Sequence, residues 1–480
     1  MASIKKNFAY NILLNVSNVL FPFITGPYTA RVLEPDGIGL ASFAGSYTYY
    51  FCLFAGLGVT NYAIREISKM RNDVKERQTF VSQVFSLLVL NTFVLAVFYY
   101  GSIILLPQMR EHLLIFVISG LSLLLLPFSN EWYFYGMERF GFTTSRTLIF
   151  RCISIAALFL FVKSKADLYI YMFISVVWGL GAITWNIAEM RRDGVKLKLV
   201  SNGIRRHYKP MLILFASTVA ISIYTSLDIL MLGIMTDYSE VGFYRNATSI
   251  SKTVLAVVTS LSAVALPRVT YFAKQNDLEN LNSLITKSFC VISFLAIPCT
   301  VGLICISSSF VPLFYGNAFQ GAVVPLIIMS GVIIAIGFNN LTGTQILLGI
   351  GHDTLFLKCI LVGSFSNFIL NLVLIPIFGA SGASASSVIA EFLILFVTVI
   401  CVKKYTKVRI NNITSEILKA TGAALLFIPI TIGINSILEG WPAIFAIMSS
   451  CAIVYLLSQK LLKSHSYELF ATVFTAVIKK

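Results

Sequence analysis

Charge is what this 480-residue chain has least of. Asp, Glu, Lys and Arg make up 12% of it, about half the share of a soluble globular domain. A soluble fold of this length needs that charge for its surface, so the shortage excludes one. Long polar stretches are missing as well, and nothing between the apolar runs is long enough to fold as a soluble domain. The apolar runs are continuous rather than alternating, which excludes a transmembrane β-barrel. No Walker A pattern, HExxH or GxSxG occurs, and the four histidines are scattered. Nucleotide-driven, zinc-protease and serine-hydrolase chemistry therefore have no visible basis. The eight cysteines lie mostly inside apolar runs without a CxxC or Cys/His grouping. They read as small packing residues, neither disulfides nor metal ligands. No enzymatic activity, cofactor or metal is expected.

What is present is apolar. Hydrophobic residues make up 57% of the chain, and the mean hydropathy is +0.84. Runs of about 20 residues, the length that crosses a bilayer core as a helix, recur from end to end. The pattern predicts an all-α integral membrane protein with about fourteen spans. They fall near 8–30, 39–62, 80–106, 112–134, 145–163, 168–190, 210–235, 242–266, 284–308, 321–349, 356–378, 382–402, 416–438 and 442–462. The basic, apolar N-terminus reads as a retained first helix rather than a signal peptide, because Asn11, Asn15 and Asn18 interrupt it. An even number of spans puts both termini on one side. Counted with the termini, alternate loops hold 29 of the 36 Lys and Arg, against five in the opposite loops. The positive-inside rule then makes both termini cytoplasmic. The net charge of +15 follows from basic loops against anionic lipid and calls for no nucleic-acid partner.

The longest polar stretch, RRDGVKLKLVSNGIRRHYKP, runs from 191 to 210. It divides the chain into a six-helix bundle (1–190), a cytoplasmic linker (191–209), a second six-helix bundle (210–402) and a further segment of two helices and a tail (403–480). The two halves repeat weakly. EPDGIGLASF, with Gly39, matches DYSEVGFYRN, with Gly242: an acidic-polar turn, then Ile or Val, Gly, and Leu or Phe. Six spans per repeat keep both halves in the same orientation, as two pseudo-symmetric bundles about an axis along the membrane normal.

Polar residues inside spans are costly, about 2.5–3.5 kcal/mol for a central charge on insertion scales, and normally face protein or water. The ionisable candidates are Glu131, Arg151, Asp228, Arg245, Lys252 and Glu391, with Arg31 and Arg65 at helix ends. Asp228 near the end of one span and Arg245 near the start of the next fall at similar depth, with Lys252 two turns deeper. That suits either a structural ion pair or a carboxylate that titrates or binds a cation in a hydrated cavity. Neutral polar stripes add to this. Asn7, Asn11, Asn15 and Asn18 share one helix face. Ser364, Asn367 and Asn371 repeat the pattern. Asn339, Asn340, Thr342, Thr344 and Gln345 crowd the tenth span, and Ser384, Ser387 and Glu391 the twelfth. Singly, each suits interhelical hydrogen bonding; together they favour a hydrated central cavity between the bundles.

PYTARVLEPDGIGLASFAGSYTYYFCLFAGLGVTNYAIREISK (27–69) resembles the start of bacterial polysaccharide flippases of the Wzx type, in the multidrug/oligosaccharidyl-lipid/polysaccharide exporter superfamily. Residues 222–272 are similar to the second-half counterpart, and GNAFQGAVVPLIIMS (316–330) and NLVLIPIFGASGASASSVIAE (371–391) to later segments. The resemblance implies a V-shaped pair of bundles working by alternating access. It implies an undecaprenyl-pyrophosphate-linked oligosaccharide, an O-antigen or capsule repeat unit, as substrate in the bacterial inner membrane, beside polymerase or ligase machinery. Arg31, Arg65, Arg151, Arg245 and Lys252 then become candidates for the pyrophosphate. Asn11, Asn15, Asn18, Asn339, Gln345, Asn367 and Asn371 become candidates for the sugars. Asp228, Glu131 or Glu391 would carry a proton or Na⁺. A lipid II flippase and a drug/cation antiporter of the same superfamily are the competing readings. A polymerase or ligase is disfavoured, because the longest extracytoplasmic loop has about a dozen residues (309–320).

Overall fold

The computed structural model describes residues 4–259, 262–410, 413–469 and 471; for 4–9, 11, 12, 15, 19, 216, 217, 220, 221, 223–225 and 262–264 it describes the helical backbone only. Helices dominate, and no strand occurs among the described residues. In chain order they are α1 (Ile4–Gly56), α2 (Val59–Lys69), α3 (Val74–Leu105), α4 (Pro107–Arg110), α5 (Leu113–Leu125), α6 (Glu131–Gly136), α7 (Phe140–Phe161), α8 (Leu168–Arg192) and α9 (Arg205–Met235). There follow α10 (Tyr238–Thr259), α11 (Ser262–Lys274), α12 (Leu278–Tyr315), α13 (Val323–Met329), α14 (Gly331–Asn339), α15 (Asp353–Tyr405), α16 (Ile413–Leu425), α17 (Phe427–Asn435) and α18 (Gly440–Leu461). The all-α membrane class expected from the sequence is the class observed. Among the described residues nine helical stretches are long and apolar enough to cross a bilayer, against the fourteen expected. One of the nine, Asp353–Tyr405, has 53 residues, enough for two crossings at 1.5 Å per residue.

The two longest helices each break where the sequence predicts a loop. In α1 the break is at Glu34 (φ 57°), just before Pro35; the left-handed backbone and the following proline both interrupt the helical ladder. In α15 it is at Gly379 (φ 54°). A Cβ there would meet the Glu240 carboxylate, so the position needs glycine for space as well as for its backbone angle. Elsewhere caps mark the starts: Asp73 accepts from Glu76 N (2.9 Å) at α3, and Asp277 from Asn280 N (3.1 Å) at α12.

The chain forms two compact units, Met1–Gly233 and Ile234–Lys480. In the first, α1 packs on α3, α5 and α7, and α8 on α5 and α7. At one end of this unit α2, α3 and α6 bury Tyr62, Ile67, Phe80, Trp132 and Tyr133 together with Val195 and Met211. The stretch after α8 is strapped to α3 there. Gln78 Nε2 donates to Lys196 O (2.7 Å), Val200 N donates to Ser86 Oγ (2.8 Å), and Gln83 Nε2 donates to Asn202 O (3.1 Å). In the second unit α10 packs on α13, α14 and α15, and α12 on α14, α16 and α18. Phe294 and Ile297 of α12 share a core with Ala420, Ala424, Phe427, Ile447 and Tyr455, and Tyr455 donates its hydroxyl to Phe294 O (2.9 Å). The last three helices are thus held within the second unit by apolar burial.

Candidate functional site

The first unit places a cation at mid-helix. Arg151 lies about halfway along the 22-residue α7, so about 16 Å from either end. Its guanidinium donates to Ser17 Oγ (2.7 Å) and Asn18 Oδ1 (2.5 Å) on α1. It also lies over the Phe21 and Trp178 rings, at 5.5 and 6.0 Å. Asn18 is exposed and Arg151 half-buried. The site combines a fixed positive charge, two neutral polar side chains and two aromatic rings. Ser17 was not legible as a partner, because it sits beside the Asn stripe rather than in it. Asn11 and Asn15 continue that helix face, but their side chains lie outside the described residues.

Glu131 opens α6 and pairs with Arg146 of α7, which also donates to Asn186 Oδ1 on α8. Arg146 is 2% exposed while Glu131 is 45% exposed, so the carboxylate is reachable and the guanidinium is not. In the sequence Arg146 stands at the start of the span 145–163; no spacing connects it to Glu131 or Asn186, and only the packing of three helices does. Nearby, Arg139 pairs with Glu189 and Asp193 over the rings of Phe134 and Phe142.

Arg65 is exposed on the short helix α2 and donates to Glu66 Oε1 (3.1 Å). Arg31 is exposed one turn before the break in α1. Asp228 is 6% exposed on α9, beside the part of α1 where Tyr50 donates to Ser222 O (3.2 Å) and Ser46 to Ser226 O (3.5 Å). Arg245 and Lys252 belong to the second unit, both exposed on α10.

The second unit's polar candidates are buried instead. Asn339, Gln345, Asn367 and Asn371 are each at most 8% exposed. Asn371 Nδ2 donates to Asn367 Oδ1 (3.2 Å). Asn339 Nδ2 donates to both the backbone carbonyl (3.0 Å) and the Oε2 (2.8 Å) of Glu391. Glu391 is 5% exposed. The segment after Asn339, Asn340–Leu348, is wound as a π-helix, a rare geometry that is frequent at functional sites.

Both units tie their helix breaks at one end. Lys165 pairs with Glu34 at the break in α1. Glu240 Oε2 accepts from Ala380 N (2.6 Å) at the break in α15, where it also meets the positive end of the helix that follows. No group of three or more His, Cys, Asp or Glu able to hold a metal occurs among the described residues.

Long apolar helices and intramembrane charges held by neutral polar partners define a multi-span membrane transporter rather than an enzyme. Residues 4–273 match the family model described as "Polysaccharide biosynthesis protein", more than half the chain, and the chain belongs to that family. It is 27% identical over 399 residues, 82% of this chain and 95% of the relative, to a putative O-antigen transporter of Escherichia coli (strain K12). It is 24% identical over 326 residues, 65% of this chain and 66% of the relative, to a probable low-salt glycan biosynthesis flippase of Haloferax volcanii. In fold it is similar to the lipid II flippase MurJ in an inward closed conformation. That match has a TM-score of 0.75 at 15% identity and covers 95% of this chain and 98% of the other. The kinship with flippases of the exporter superfamily, expected from the sequence, is borne out.

Proposed function

We propose that this protein is a flippase that carries an undecaprenyl-pyrophosphate-linked oligosaccharide, an O-antigen or capsule repeat unit, across the bacterial cytoplasmic membrane. Arg151 carries the reading. A permanent cation at mid-helix, oriented by Ser17 and Asn18, suits a pyrophosphate whose oxygens accept paired guanidinium N–H bonds. The Phe21 and Trp178 rings beside it suit stacking against sugar faces. Arg31, Arg65, Arg245 and Lys252 are proposed as further phosphate contacts along the route. Asn11, Asn15 and Asn18 are proposed for the sugars, joined by Asn339, Gln345, Asn367 and Asn371 in conformations that open the second unit. Flipping needs no covalent chemistry, only a path that opens to either side in turn and a source of energy. We assign that source to an ion gradient, with Glu391 the leading carrier over Asp228 and over Glu131, which is engaged by Arg146. Both termini are placed in the cytoplasm, with fourteen crossings in two six-helix bundles (1–190 and 210–402), the linker 191–209 and the segment 403–480. Polymerase or ligase machinery is the proposed downstream partner.

The test is transport of a lipid-pyrophosphate-linked oligosaccharide in vesicles holding the purified protein, with and without a proton or Na⁺ gradient. Gradient-dependent transport that is lost in Arg151→Ala and partly kept in Arg151→Lys is expected. Efflux of organic cations without glycan transport would move the protein to the drug-antiporter branch. Transport confined to lipid II would make it a cell-wall flippase.

A further inference from the structure

Glu391 lies 11 residues beyond Ala380, the start of the second arm of α15, and 14 before its end at Tyr405. At 1.5 Å per residue that is about 16 Å from the break, the middle of a hydrocarbon core about 30 Å thick. α10 runs parallel to this arm. The two helices are pinned together at Glu240–Ala380 (2.6 Å), and Tyr244 and Ser387 share a hydroxyl hydrogen bond (3.2 Å). One turn further along each helix are Thr248 and Glu391, which this register brings to the same level. Thr248 Oγ1 and Asn339 Oδ1 are buried acceptors with no hydrogen-bond partner among the described residues. A buried polar atom without a partner calls for an explanation, and a proton shared with the neighbouring carboxyl supplies one.

Their chemistry is complementary to both states of a carboxyl. Asn339 Nδ2 donates to the ionised form. The neutral form adds an O–H donor, and the orphaned oxygens are acceptors for it. We propose that Glu391 and Asn339, with Thr248, form a one-proton site in the second unit, and that loading it changes the tie that pins the start of the π-helical segment 340–348. The site rests on the reading of the chain as an ion-driven flippase. A proton leaves or joins a carboxylate oxygen, and no other bond changes. The neighbouring elements leave Glu391 as the titrating group. From Val323 to Leu348, across α13, α14 and the π segment, there is no charged or histidine side chain. On α10 the nearest titratable group is Tyr244, tied to Ser387, while Arg245 and Lys252 are exposed. On α15 Cys359 and Cys401 lie together toward the other end, sulfurs 3.7 Å apart.

Dicyclohexylcarbodiimide, which reacts with protonated carboxyls in apolar surroundings, tests the site. The full-length protein in detergent is labelled across a pH series and mapped by mass spectrometry. Labelling of Glu391 is expected, falling about tenfold per pH unit above its midpoint. Asn339→Leu removes a donor to the charged form and is expected to raise that midpoint by about one unit; Glu391→Asp keeps the pH dependence. Hydrogen exchange in residues 340–350 is expected to differ between the wild type and Glu391→Gln. Absent or pH-independent labelling would overturn the proton site, and so would protection by Na⁺ at constant pH. Unchanged exchange in 340–350 would overturn the link to the π segment. Labelling needs no transport. A wild type that labels but moves no glycan would leave the site standing and defeat the flippase reading, and the converse result would do the opposite.

Discussion

The two units handle intramembrane polarity in opposite ways. The first leaves its mid-helix charge accessible: Arg151 is half-buried and held by Ser17 and by Asn18, which is itself exposed. The second buries its mid-helix carboxyl at Glu391 and ties it to the amide of Asn339. At their helix breaks the contrast recurs. The first unit uses an ion pair between partly exposed side chains, Lys165 and Glu34, and the second a carboxylate on a backbone N–H. An accessible fixed charge suits a large ligand that comes and goes. A buried, neutralisable one suits something as small as a proton. The difference teaches that similar helical frames are given different tasks by where their polar atoms point, rather than by how many they contain.

Glu131→Leu sharpens this most. It leaves Arg146 buried without its carboxylate, and the first unit is expected to lose about 3 kcal/mol. Arg146→Leu should cost less, because the stranded Glu131 is reachable by solvent. Thermal unfolding in detergent measures both, and equal losses would break the account of the pair. Arg151→Ala is expected to weaken binding of the lipid-pyrophosphate glycan about 30-fold, near 2 kcal/mol for charge-assisted hydrogen bonds, with little change in unfolding; titration of the purified protein reads it. Glu240→Ala should cost about 1–2 kcal/mol, since it removes a charge-assisted bond to a backbone donor at a helix start. Glu34→Ala should cost less than about 1 kcal/mol, as ion pairs between exposed side chains do. If the order of those two is reversed, the contrast between the breaks fails.

The last prediction concerns pH. His207 is buried at the loop end of α9, with Tyr62 Oη 2.8 Å from Nδ1 and Gln83 Oε1 3.0 Å from Nε2. Burial, and next the Arg206 charge, push its pKa down from 6.5 to about 4. The folded state therefore prefers the neutral imidazole. Its contribution is whole above pH 6.5 and is lost as pH falls from there toward 4. Protease cleavage in the strap 195–204 should rise over that window in the wild type, and the rise should be blunted in His207→Gln.

Much of the fold was legible before any coordinates. Runs of about 20 apolar residues announce helices, and EPDG and the Gly379 region announce their breaks, because those signals are local. The partner of Arg151 was half legible: Asn18 stands in a helical stripe, but Ser17 does not. The role of Arg146 was not legible, since its partners lie 15 and 40 residues away on other helices. The Asn339–Glu391 bond joins residues 52 apart, and nothing in either stripe names the other. Asn367 and Asn371 read as a cavity face and are buried against protein in this conformation.

By itself the sequence determined that this is a membrane protein of helices with few charges, and which residues carry polarity inside it. Hydrophobic length and periodicity are properties of consecutive residues, so a linear chain suffices to state them. Only the tertiary structure decided which polar atoms meet. A hydrogen bond depends on distance and direction between helices, and the same Asn or Glu is accessible or buried according to what packs beside it. That is why Arg151 emerges as an open cation and Glu391 as an enclosed carboxyl, although each stands in the sequence as one charge in an apolar run.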